Sequence, residues 1–255
     1  MIIAQISDTH IISPSHKFSE VAASRIKHLE NCVSNILNLK TQPNAIIHTG
    51  DISHNGLIEE YKLVYKILNR LKIPIFYTPG NRDNRKNLSS IFTHSYLTNA
   101  KRDQFIYSTY FKDFRLVSMD SSCKKHNQGE LTRKGLEIFS SILMEHKDIP
   151  TVIFMHHPPY DVSLSSIRNI EYNSENLLPK FREILDSFNI KGLFCGHIHR
   201  NFESKLGDII SYTLPPIALD LSRDKEVKNE FNEIQYLLHS YSKNTGIVTK
   251  KILVQ

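Results

Sequence analysis

Short β-branched and apolar runs alternate along the first third of the chain with amphipathic stretches of helical period. Ile2-Ile3-Ala4-Gln5-Ile6 reads as a buried strand. From about Ser19 to Leu39 the positions Val21, Ala22, Ile26, Leu29, Val33, Ile36 and Leu37 recur at three and four, the stripe of a helix covering a sheet. Strand 45–48 follows, then a second helix marked by Leu57, Tyr61, Val64, Tyr65, Leu68 and Leu71, then strand 74–78. The pattern is βαβαβ, with every strand running into a polar turn.

The middle is less regular. A short helix and loops are expected between Asn84 and Arg102, and Gln104–Tyr110 and Phe114–Met119 resemble a strand pair across a polar turn at Lys112-Asp113, a change to antiparallel pairing. Helical spacing returns over Glu130–Glu145, followed by strand 151–155, a helix near Ser174–Phe188 and strand Gly192–Cys195. Beyond 200 the pattern predicts only short strands, at about 200–206, 208–213, 216–221, 232–238 and 246–254. No repeat or low-complexity segment is visible.

The polar turns are where chemistry concentrates. Gly50-Asp51 is a common turn dipeptide and carries little by itself. It keeps company, however, with Asp8-Thr9-His10, Gly80-Asn81-Arg82-Asp83, His156-His157-Pro158-Pro159 and Gly196-His197-Ile198-His199, all at predicted strand ends. Open α/β sheets place their sites at the carboxyl ends of strands. Asp8, His10, Asp51, Asn81, His156, His197 and His199 offer oxygen and nitrogen donors only, a set suited to Mn, Fe, Zn, Co or Ni and not to a sulfur-bound metal. Seven donors exceed one ion, and two neighbouring ions need a shared carboxylate, for which Asp51 is the candidate. Asp8 and His10 are two apart, as are His197 and His199, so on an extended segment each pair would point one way.

Composition narrows the partners. The 255 residues can bury one large core, and a single domain over 1–255 is expected. Apolar residues make up 40% and charged residues 23%, which excludes fibrous and disordered classes. The formal charge of +6 suits an anionic substrate, although the lysines are dispersed as on a solvated surface. Cys32, Cys123 and Cys195 lack paired spacing, as expected of reduced cytoplasmic thiols. The amino terminus enters a strand without a signal-peptide pattern, and no apolar run approaches membrane-spanning length, so a soluble, cytoplasmic chain is expected.

Taken together, Asp8-x-His10, Gly50-Asp51, Gly80-Asn81-x-Asp83, His156 and Gly196-His197-x-His199 resemble, in order and spacing, the five blocks of the calcineurin-like metallophosphoesterase superfamily over about residues 2–200. The likeness is greatest to its class III cyclic nucleotide phosphodiesterase and glycerophosphodiesterase branch. The resemblance implies an α/β fold, a four-layer αββα sandwich of two mixed β-sheets flanked by helices. It implies two divalent ions (Mn, Fe, Zn or Co), one held by Asp8, His10, Asp51 and His199, the other by Asp51, Asn81, His156 and His197. His157 is then a structural neighbour. Two such ions lower the pKa of a bridging water toward neutrality and bind phosphoryl oxygens for in-line attack, which gives a phosphodiesterase for cyclic nucleotides or other small phosphodiesters, with no protein nucleophile.

Family members usually carry histidine where this chain has Arg82. A guanidinium cannot act as general acid but suits a phosphoryl group gaining negative charge, so Asn81 and Arg82 are the candidate catalytic residues and Arg82 the candidate substrate contact. In the bland reading Arg82 merely pairs with Asp83 or a loop carboxylate. His16, Arg85, His126 and Tyr160 lie near the motif loops and could line the pocket or be plain loop surface. One alternative is a metal-binding scaffold that has lost turnover through Arg82. Another is a nuclease, for which no basic stripe or stacking series is present. The expected partner is a small phosphate ester, with no nucleic-acid polymer and no membrane, and with a homodimer left open.

Overall fold

The period-2 alternation of the buried strands sets the layering. In β6 (Thr151–Phe154), Val152 and Phe154 join one apolar cluster while Ile153 joins another, because successive side chains leave a strand on opposite faces. β5 (Phe114–Ser118) repeats this with Leu116 and Val117, and β7 (Ile190–Phe194) with Phe194 and Leu193. The first cluster also holds Leu29, Val33 and Ile36 of α1 (Ser19–Leu37), Tyr61, Val64 and Leu68 of α2 (Ile58–Leu68), and the buried apolar residues of β1 (Ile2–Ile6), β2 (Ala45–His48) and β3 (Ile75–Tyr77). The second holds Leu136, Phe139 and Leu143 of α4 (Arg133–Glu145) and Phe181, Ile184 and Leu185 of α5 (Leu178–Asp186). α3 (Arg85–Ile91) is short and begins at Asn84, whose side chain accepts from the N–H groups of Lys86 and Asn87.

This computed structural model describes residues 1–14, 19–93, 104–111, 114–123, 125, 127–160, 172, 175–222 and 233–254. His16, His126, Ser174 and the Lys112-Asp113 turn lie outside them. Adding β4 (Tyr107–Phe111), β8 (Phe202–Leu206), β9 (Ile209–Thr213), β10 (Gln235–Ser242) and β11 (Gly246–Leu253) gives a 5-stranded sheet in the order β11-β10-β1-β2-β3 and a 6-stranded sheet in the order β4-β5-β6-β7-β9-β8. Both are mixed. β1, β2 and β3 are parallel, as are β5, β6, β7 and β9; antiparallel strands close both edges of the 6-stranded sheet and one edge of the other, whose second edge is the parallel β3. Helices cover the outer face of each sheet, so the expected αββα layering is the architecture observed.

One expected strand is absent. Residues 216–221 form no ladder; the 3₁₀ turn Leu219–Leu221 stands there instead. Pro215 and Pro216 have no N–H to offer a ladder, and the next donors, Ile217 N–H and Ala218 N–H, bond to the carbonyls of Ser7 (3.1 Å) and Asp8 (3.2 Å). The segment is thereby pinned under the loop after β1.

Candidate metal centre

Five of the parallel strands end in the polar turns. β1 leads to Asp8 and His10, β2 to Asp51, β3 to Asn81 and Arg82, β6 to His156, and β7 to His197 and His199. The turns are laced together by backbone bonds: Asp8 N–H to Gly50 O (3.0 Å), His10 N–H to Asp51 O (2.9 Å) and Gly196 N–H to His156 O (3.0 Å). Glycine is required where they cross. Gly50 has φ +97°, and a Cβ on it would stand 2.5 Å from His156 Nδ1. A Cβ on Gly80 would overlap Asp51, and one on Gly196 would overlap the Ser7 hydroxyl.

The side-chain direction has a different origin from that expected. Asp8 (φ 52°), His10 (41°), His197 (71°) and His199 (56°) are all left-handed, so neither pair sits on extended backbone. Asp51 (50°) joins them, and five of the six described non-glycine residues with positive φ are thus candidate ligands. Such backbone costs about 1–3 kcal/mol per residue and persists only where the surroundings enforce it. The enforcement is visible: Thr9 donates its hydroxyl to Ile52 O (2.7 Å), and half-buried Asp83 accepts from Ile52 N–H (3.1 Å), Ser53 N–H (3.1 Å), Gly80 N–H (2.9 Å) and Tyr61 OH (3.0 Å).

Asp8, His10, Asp51 and His199 form one group whose donor atoms lie within 4.8 Å of one another. His156 and His197 stand in a second group, with His157. Proton bookkeeping shows what the first group lacks. His199 Nδ1 donates to Leu221 O (3.0 Å), which leaves Nε2 bare in a neutral ring. That nitrogen faces His10 Nε2 (3.2 Å) and Asp8 Oδ1 (3.2 Å). Asp8 Oδ2 accepts from Ser7 Oγ (2.5 Å) and His197 N–H (3.2 Å), whereas buried Oδ1 has no hydrogen-bond partner. An orphaned buried carboxylate oxygen among imidazole lone pairs fits a cation.

The second group repeats this pattern. His156 Nδ1 donates to Thr49 O (2.7 Å), leaving Nε2 to face Asn81 Oδ1 (3.2 Å) and Asp51 Oδ2 (3.6 Å). Asp51 Oδ2 is also 3.4 Å from His10 Nε2, so one oxygen borders both groups, while Oδ1 accepts from Arg82 N–H (2.8 Å). His157 differs: its Nδ1 meets Ser121 Oγ (3.0 Å) and its Nε2 the carbonyl of Asn127 (3.1 Å), so both nitrogens already have partners within the protein.

Electrostatics divide the imidazoles as well as the carboxyls: burial would lower His199, yet the neighbouring Asp8 carboxylate raises it above its ordinary value. Burial, followed by the neighbouring histidines, holds His10 and His197 well below their ordinary value. Burial alone would raise the Asp8 carboxyl, yet His199, His156 and His10 hold it far below the usual range. Burial pushes Asp51 up to about 7, with Asp8 and Asp83 adding to the rise against His156.

The structure therefore brings together Asp8, His10, Asp51, Asn81, His156, His197 and His199. The Arg82–Asp83 pairing of the bland reading is not formed: Asp83 is occupied by backbone donors, and among the described residues the exposed Arg82 guanidinium has no hydrogen bond or ion pair. Arg85 is spoken for by Asp120 (2.6 Å), and the Tyr160 hydroxyl by Ser211 (2.7 Å). Sequence reasoning missed His54, Ser121 and Asn127, which touch His10, His157 and both Asn81 and His157 respectively. His54 lay within the Asp51 turn; the other two carried no local signal.

The model of the calcineurin-like phosphoesterase family matches residues 1–201. A protein of Arcobacter nitrofigilis named "Probable glycerophosphodiester phosphodiesterase GpdQ" is 32% identical over 98% of this chain and 92% of its own length. A 3',5'-cyclic-nucleotide phosphodiesterase of Nostoc sp. is 27% identical over 78% of this chain and 72% of its own. Among solved structures, TT1561 of Thermus thermophilus superposes with a TM-score of 0.64 at 13% identity, covering 100% of this chain and 99% of its own.

Proposed function

Because the chain belongs to the calcineurin-like phosphoesterase family, whose members are metal-dependent phosphoesterases, we propose that it is a binuclear-metal-dependent phosphodiesterase acting on cyclic nucleotides or other small phosphodiesters. In this reading one ion is held by Asp8, His10, Asp51 and His199 and the other by Asp51, Asn81, His156 and His197, with Mn, Fe, Zn or Co suiting these donors. The observation that carries it is the meeting of the two donor groups at Asp51 Oδ2, 3.4 Å from His10 Nε2 and 3.6 Å from His156 Nε2.

Bound there, the ions would supply Lewis acidity toward the phosphoryl oxygens and acidify water for in-line attack on phosphorus. The chain's own residues orient and hold. Thr49 O and Leu221 O fix the tautomers of His156 and His199 with their Nε2 lone pairs turned inward. Arg82, charged at every working pH, clamps a phosphoryl oxygen as negative charge develops but cannot protonate the leaving oxygen. Asn81 orients its amide oxygen beside His156. The unit is the whole chain in this reading, since residues beyond the matched 1–201 supply β8–β11 to both sheets. No helix among the described residues is long and apolar enough to cross a membrane. The free thiols of Cys32 and Cys195 suit the reducing cytoplasm, the compartment of this reading, and its partner is a small phosphate ester.

The scaffold alternative is not favoured, because all seven donors converge. The test is hydrolysis of phosphodiesters, cyclic nucleotides and phosphomonoesters by protein loaded with Mn and by protein stripped with a chelator. Diester turnover that vanishes on stripping is expected. Exclusive monoester turnover would overturn the substrate class, and two bound ions without turnover of any ester would restore the scaffold.

A further inference from the structure

We propose that Arg25 and Asp220, which belong to none of the motifs, act as a positioning clamp for the ion assigned to Asp8, His10, Asp51 and His199; the inference rests on the metal reading above. Arg25 lies on α1 and is buried at 3% exposure. Its Nε and Nη2 form a bidentate pair with Asp220 (3.0 and 2.6 Å), 195 residues away in sequence. Its Nη1 donates to His10 O (2.9 Å) and reaches His54 Nδ1 (3.3 Å). Asp220 is the middle residue of the Leu219–Leu221 turn, and the next carbonyl, Leu221 O, accepts from His199 Nδ1 (3.0 Å). One rigid guanidinium fork thus spans from the peptide of one ligand to the turn that orients another.

The fork also dictates protons. Arginine only donates, so His54 Nδ1 must accept from it. His54 Nδ1 is also 3.4 Å from His10 Nδ1, so its acceptor lone pair favours the tautomer with the hydrogen on His10 Nδ1. His10 Nε2 is then bare and faces Asp51 and His199, the state a metal ligand needs. An ion pair with one partner in solvent adds little to stability by itself, since water screens it. The added contacts to His10 O and His54 give this one a role at the site. The other group is oriented independently, with His156 held by Thr49 O.

The two groups should therefore respond differently, which the test exploits. Metal-free wild type, Asp220→Asn, Asp220→Glu and Arg25→Lys are titrated with Co(II), following its visible absorption and the stoichiometry against a competing chelator. Wild type is expected to bind two ions. Asp220→Asn and Arg25→Lys should weaken one of them by roughly ten- to a hundredfold, the usual cost of losing an outer partner of a ligand. The second ion should be unaffected, and Asp220→Glu, which keeps a carboxylate near the fork, should recover part of the loss. Asp220 is partly exposed, so its amide variant is expected to fold even if Arg25→Lys does not. Unchanged affinities, or equal weakening of both ions, with only a lower melting temperature would reduce the pair to a structural ion pair and overturn the inference. Failure of wild type to bind any ion would overturn the metal reading and this inference with it.

Discussion

Asp51→Asn offers the most decisive perturbation, because the metal-free and metal-loaded proteins should respond in opposite directions. The amide keeps an oxygen for Arg82 N–H, which now bonds Oδ1 at 2.8 Å, and puts an NH₂ where Oδ2 borders His10 and His156. In metal-free wild type, burial beside Asp8 and Asp83 pushes the Asp51 carboxyl from 3.8 up to about 7. A folded-state value above the unfolded one means that the carboxyl costs nothing below about pH 4, costs progressively more as pH rises toward 7, and costs its full amount beyond. At about 1.4 kcal/mol per unit of pKa, the full cost is on the order of 4 kcal/mol for this buried group. Asparagine removes it. Urea denaturation in chelator should therefore find the variant gaining on wild type between pH 4 and 7, by an amount approaching that figure at pH 8. With Mn present the order should reverse, since wild type gains binding free energy on two ions and the variant loses its shared oxygen from both. Parallel pH profiles for the two metal-free proteins would refute the burial argument, and two ions retained at wild-type affinity would refute the bridging role.

Further outcomes follow from individual contacts. Arg82→Ala should lower kcat on diesters about ten- to a thousandfold with metal content intact, and Arg82→Lys should fall between, because a point charge replaces a fork; wild-type turnover in Arg82→Ala would end the clamp role. With no acid at that position, aryl phosphodiesters should hydrolyse far faster than alkyl ones at fixed metal and pH, and equal rates would show that another group protonates the leaving oxygen. Gly196→Ala, whose Cβ would lie 2.6 Å from Asp8 Oδ2 and 2.9 Å from Thr49 O, should cost about 1–3 kcal/mol in denaturation and weaken metal binding; an unaltered protein would show that the turn can yield. His156→Asn should lose an ion while His157→Asn retains both, since the His157 nitrogens are engaged by Ser121 and Asn127; elemental analysis separates them.

The sequence by itself determined most of the elements and the candidate donors. Periodicity of Leu29, Val33 and Ile36, β-branched runs such as Ile46-Ile47, and the placement of Asp8, Asp51, Asn81, His156, His197 and His199 just past them are signals contained within a turn or two of chain. It did not determine how those turns are held. The left-handed backbone at five donors, the capture of Asp83 by the N–H groups of Ile52, Ser53 and Gly80, and the replacement of an expected strand at 216–221 by a turn bonded under Ser7 and Asp8 all depend on partners from distant segments. So does the sheet order, in which β10, near the carboxyl end, lies beside β1. Arg25 and Asp220 show the division most clearly. Each looks like an ordinary charged surface residue in its own stretch, and only tertiary packing brings them together across 195 residues, because a hydrogen-bond partner is chosen by position in space and leaves no periodic mark in the sequence.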